Sequence, residues 1–116
     1  MSNSQAGLTP AMFNVLLALA DGDKHGYAIL KEAGAHSDGA VQLSTGTLYG
    51  IIKRLLEEGL IVEVRGRQDP DGDQRRRYYH LTSDGRAVAV EEARRLEKVL
   101  ARARSKRLID ALKGVS

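Results

Sequence analysis

Residues 44–65 read STGTLYGIIKRLLEEGLIVEVR, a helix pattern that runs without a break into a strand pattern. Ser44 or Thr45 can act as a side-chain N-cap. At 100° per residue, Leu48, Ile51, Ile52, Leu55 and Leu56 share one apolar sector, while Gly46, Tyr49, Gly50, Lys53, Arg54 and Glu57 lie on or beside the opposite one. Gly59 closes the helix. The next six residues, LIVEVR, read as a strand.

Downstream, Asp69-Pro70-Asp71-Gly72-Asp73 is a strong turn signal, and residues 76–81 (RRYYHL) are a second strand. Together they make a hairpin with a long tip. Thr82 caps a last helix, with Gly85 where a capping box would place Glu or Gln. After Gly85 neither glycine nor proline intervenes as far as Leu112, which gives about 30 helical residues and roughly 45 Å of length. The rest of the chain would form a body only about 30 Å across, so the last helix overhangs it.

Upstream, Thr9-Pro10 pairs an N-cap with the residue best tolerated at the first helical position, and Gly22 suits the exit. Asp23 is the expected cap of a second helix with Tyr27, Ile29, Leu30 and Ala33 as its apolar positions, broken from Gly34 onward. Val41-Gln42-Leu43 is expected to add a short third strand to the hairpin. Three helices, a hairpin and a final helix make a winged helix-turn-helix. The fold class is therefore mainly α with a small β-hairpin. The expected division is a flexible arm over 1–8, the winged helix-turn-helix over 9–82 and a C-terminal dimerisation helix over 83–116.

Charge is divided unevenly along the 116 residues. Residues 1–64 carry 4 basic and 7 acidic side chains and residues 65–116 carry 14 and 8, although the whole chain is only +3. Such a split points to a polyanionic partner. Without cysteine there is no disulfide framework and no thiolate metal site. The polar first residues do not resemble a secretory signal, and the longest apolar stretch, residues 11–20, is too short to span a bilayer. A cytoplasmic protein without membrane association is the expectation. His25, His36 and His80 show no metal spacing and no phosphate-binding loop is present, so neither an enzyme nor a bound cofactor or metal is expected. His25 reads instead as a helix-start residue.

Double-stranded DNA fits the pattern best. The major groove admits one helix, whose N-terminal residues reach base edges. In the helix over about 44–58, Thr45, Thr47 and Tyr49 offer hydroxyls, and Lys53 and Arg54 can neutralise phosphates. Gly50 sits inside a helix, where glycine costs about 1 kcal/mol relative to alanine. Close approach to DNA and close packing against a neighbouring segment would each account for it. The wing, about 65–77, gathers Arg65, Arg67, Arg75, Arg76 and Arg77 around one turn, an arrangement suited to the minor groove and flanking phosphates. Alternation places Arg75, Arg77 and Tyr79 on one face and Arg76, Tyr78 and His80 on the other, with only one face toward the core. The competing reading is a winged-helix module that binds protein.

In the last helix, Ala89, Ala93, Leu96, Leu100 and Ala103 recur at the spacing of a coiled-coil seam. Its first two turns are expected to pack on their own domain. Beyond them a second copy is the expected cover, which would supply two reading heads for a palindromic site.

These residues resemble the PadR family of bacterial transcriptional regulators. The resemblance is carried by His25-Gly26-Tyr27-Ala28-Ile29, Ser44-Thr45-Gly46-Thr47-Leu48-Tyr49, Arg54-Leu55 with Glu58-Gly59-Leu60-Ile61, and Arg77-Tyr78-Tyr79-His80-Leu81-Thr82 with Gly85-Arg86. It implies a homodimeric DNA-binding protein, usually a repressor, of the short subfamily with a single C-terminal helix that dimerises with help from the N-terminal one. By position, the implied DNA contacts are Thr45, Thr47, Tyr49 and Lys53, with the wing at Arg75, Arg76 and Arg77. Gly50 stands where the family often has proline, and Ala28 replaces the usual glutamate. Some members bind planar aromatic effectors through aromatic residues of the last helix. No aromatic residue follows Tyr79 here, so an effector has no support in the sequence.

Overall fold

The structure, a computed structural model, describes residues 8–36, 43–64 and 77–109. The elements in chain order are α1 (Pro10–Ala18), β1 (Lys24–His25), α2 (Gly26–His36), α3 (Thr45–Glu57), β2 (Ile61–Val64), β3 (Tyr78–Leu81) and α4 (Ser83–Ser105). Three hydroxyl caps set three of the four helix starts. Thr9, Ser44 and Thr82 each accept a hydrogen bond from the backbone N–H three residues on, at 3.1, 3.1 and 2.9 Å.

The core lies where the helices meet one face of a three-stranded antiparallel sheet of order β1-β3-β2. Its fully buried side chains, Val15, Leu16, Ile29, Leu48, Leu55 and Ile61, come from α1, α2, α3 and β2. Each contributes about 1.5–3 kcal/mol by leaving water. In β2 and β3, Ile61 pairs with Leu81 and Glu63 with Tyr79.

The end of α3 and the start of α4 are joined through a few atoms. Gly59 takes φ +74° at the α3 exit, and the Gly59 and Leu60 N–H groups return to the Leu56 and Leu55 carbonyls at 3.1 and 3.0 Å. The Thr82 hydroxyl donates to the Gly59 carbonyl at 2.8 Å and the Thr82 N–H to the Leu60 carbonyl at 3.1 Å. Gly85 then passes so close that a Cβ would overlap the Leu60 carbonyl oxygen. At the end of α1, Lys24 Nζ donates to the Ala18 carbonyl at 2.5 Å and Arg86 to the Ala20 carbonyl at 3.0 Å. These cations answer the partial negative charge of a helix C-terminus.

Four expectations change. The third strand is β1, which pairs Lys24 with Tyr79 and His25 with Tyr78. Leu43 lies in irregular chain, while Val41 and Gln42 fall outside the described residues. Asp23 does not open α2; His25 does, its Nδ1 accepting from the Ala28 N–H at 3.2 Å, and Asp23 instead meets His80 Nδ1 at 2.7 Å. Tyr78 and Tyr79 are both buried despite alternation, because β3 is the central strand and His25 covers Tyr78 edge-on, ring centres 5.3 Å apart. Finally, α4 ends at Ser105 rather than near residue 112, giving 23 residues. Arg107 takes φ +65°, and the Leu108 N–H bonds back to the Ala103 carbonyl at 3.0 Å, a helix stop built without glycine.

Candidate nucleic-acid interface

The outward face of α3 follows from its inward one. Leu48, Ile52 and Leu55 are buried, so Gly46, Gly50 and Lys53 fall on the stripe directly opposite. A Cβ built on Gly46 or Gly50 would meet nothing within 4 Å. Among the described residues, packing within the chain therefore does not account for Gly50. Between the turns carrying these two glycines the helix presents bare backbone, bordered by side chains on either flank.

Thr45 and Tyr49 lie on one flank and Thr47 on the other, all exposed. The Thr47 hydroxyl accepts from Ser44 Oγ at 3.0 Å, so it is already part of the cap. Lys53 lies 3.7 Å from Glu57 and Arg54 2.9 Å from Glu58, each one turn apart and solvent-exposed. Pairs of this kind contribute about 0.2–0.5 kcal/mol, less in this order of cation before anion. A phosphate can therefore displace them at little cost.

At the wing base, Arg77 lies 3.7 Å from Glu63 across the sheet. Tyr79 sits beside them. Burial pushes its hydroxyl above the ordinary value of 10.0, helped by the negative charge of Glu63 and by Tyr49 and opposed by Arg77. Arg75 and Arg76, the other wing candidates, lie outside the described residues. α3 thus brings together Thr45, Thr47, Tyr49, Gly50, Lys53 and Arg54, with Arg77 at the head of the central strand β3.

On α4 the seam residues separate. Ala89 joins the chain's own core, while Leu96 and Leu100 are 40 % and 42 % exposed. Ala93 is exposed and Ala103 half-buried. Val90 and Val99 are also exposed. Glu92, nearly covered, is held by Arg95 through two hydrogen bonds of 2.9 and 2.7 Å, which keep its carboxyl below the ordinary 4.5. Two residues that sequence reasoning left out of the site shape it. Gly26 lies under the Tyr49 ring and Glu63 holds Arg77. The sequence signal for the first was a glycine at a helix start, within the His25-Gly26-Tyr27-Ala28-Ile29 stretch that resembles the family.

Among the described residues no helix is long and apolar enough to cross a membrane, and no group of three or more His, Asp or Glu is placed to hold a metal.

Residues 15–91 match the Transcriptional regulator PadR-like family. A Mycobacterium tuberculosis protein, transcriptional regulator Rv3488, is 35% identical over 86 residues, covering 74% of this chain and 75% of its own. An uncharacterised 37.1 kDa protein in transposon TN4556 of Streptomyces fradiae is 36% identical over 97 residues; the match covers 79% of this chain but only 24% of that protein. Among solved structures, a PadR family transcription regulator from Clostridium difficile superposes with a TM-score of 0.67 at 24% identity, covering 87% of this chain and 100% of that one. That likeness concerns the fold. With a family match over most of the winged-helix body and a curated relative of similar length, the chain belongs to the PadR-like family of transcriptional regulators, a family of regulators rather than enzymes.

Proposed function

We propose that this regulator is a cytoplasmic repressor that binds a palindromic operator as a homodimer. The observation that carries the reading is the bare stripe of α3, where Gly46 and Gly50 leave open space beside Lys53. A helix whose first two turns lack side chains on the outward face can seat that end deeper in the major groove. Thr45, Thr47 and Tyr49 then reach base edges or phosphates, Lys53 and Arg54 exchange their glutamates for phosphates, and Arg75, Arg76 and Arg77 flank the adjacent minor groove.

The second copy is argued from α4. Leu96, Val99 and Leu100 leave one apolar face unpartnered in the half of the helix beyond Ala89. Leu17 of α1, 45 % exposed, lines a cleft of about 320 Å³ with Asn14, Ala18, Glu32 and Ala33. A two-fold axis that pairs the α4 faces covers this apolar surface and sets two α3 helices on one side of the DNA.

Selection from a random duplex pool tests the reading. The expected product is a palindrome with half-site centres about 34–36 Å apart. Enrichment of no sequence would favour the protein-interaction module instead.

A further inference from the structure

Gly26 opens α2 directly beneath the ring of Tyr49. A Cβ there would lie 2.5 Å from the Tyr49 hydroxyl oxygen, 3.0 Å from Cζ and 3.3 Å from Cε1. Backbone conformation does not demand glycine here, since the described glycines with positive φ are Gly22 and Gly59. The need lies in the space that the ring occupies. The head of α2 cannot easily withdraw from it: His25 is paired with Tyr78 in the sheet, packs its ring against that tyrosine and caps the Ala28 N–H. Tyr49 has only two side-chain torsions and is 48 % exposed. The hydroxyl end of the side chain, with Cζ and Cε1, rests on α2, and the residue is about half exposed at the flank of the bare α3 stripe.

We propose that Gly26 is a positioning residue for DNA recognition, its bare α-carbon forming the seat that fixes the direction of the Tyr49 ring and so selects the base or phosphate its hydroxyl reaches. This role rests on α3 being the reading helix. A methyl group at position 26 lifts the ring off its seat and redirects the hydroxyl, while leaving the core untouched. It also replaces glycine with a better helix former, so stability is expected to hold or rise.

The test combines Gly26→Ala, Tyr49→Ala and the double variant, with the duplex that the unmodified protein selects from a random pool as probe. Gly26→Ala is expected to weaken binding about tenfold, a change of about 1.4 kcal/mol, with an unchanged or higher melting temperature. It is also expected to alter the base preference of the selected pool. Added to Tyr49→Ala, it is expected to change affinity less than twofold. Unaltered affinity of Gly26→Ala, or the same tenfold loss without Tyr49, would overturn the positioning role while leaving the DNA reading intact. A protein that selects no duplex would overturn both. Independently of DNA and of the variants, a nuclear Overhauser effect between the Tyr49 ring and the Gly26 α-protons is expected, and its absence would overturn the contact.

Discussion

A methyl group added at Gly85 would overlap the Leu60 carbonyl oxygen and lie 2.8 Å from Leu81 Cδ1, whereas one added at Gly50 meets nothing. The two glycines therefore answer to different demands, and substitution separates them. Gly85→Ala is expected to destabilise the fold by about 2 kcal/mol or more, lowering the melting temperature by roughly 8 °C or more. Gly50→Ala is expected to stabilise it by up to about 1 kcal/mol while weakening duplex binding. Thermal melts and a binding titration on the same samples check both. Glu92 provides a prediction in pH. Arg95 holds its carboxyl below 4.5, so the pair stabilises the fold above that pH and loses its effect as pH falls through the lower folded value. The melting temperatures of the unmodified protein and Glu92→Gln are expected to differ at neutral pH and to converge in acid.

Elements were legible where a cap or a period announced them. Thr9, Ser44 and Thr82 begin helices, Gly59 ends one, and the apolar stripe of α3 is the buried one. Its polar stripe, and with it most of the candidate site, followed from the same arithmetic. β1 was missed because two residues have no period. The end of α4 was misplaced because Arg107 stops the helix with neither glycine nor proline to mark it. The burial of Tyr78 depended on a strand the pattern did not show, and the seat under Tyr49 joins segments far apart in the chain. At this scale the exposed face of α4 carries its own prediction. Leu96→Asp or Leu100→Asp is expected to give a monomer in sedimentation, and a variant that still sediments as a dimer would remove that face from the interface.

At the scale of the whole molecule, α4 runs on past its own core residue Ala89, and there Val90, Leu96, Val99 and Leu100 are exposed. α4 packs against α1, while the Thr82, Gly59 and Gly85 contacts tie its start to the end of α3. The end of α3 and the start of α4 are thus joined directly, so the way two copies pair would set the distance between two α3 helices, the proposed reading heads. Everything rests on α3 reading DNA, which affinity for the selected duplex and for a scrambled duplex of equal length measures across a salt series. At least about a thousandfold preference for the selected duplex is expected. A steep loss of affinity with salt, corresponding to roughly 6–10 phosphates, is expected as well, together with loss of the preference in Tyr49→Ala, Lys53→Ala with the fold retained. Equal affinity for the two duplexes, a flat salt response, or full preference in that double variant would contradict it.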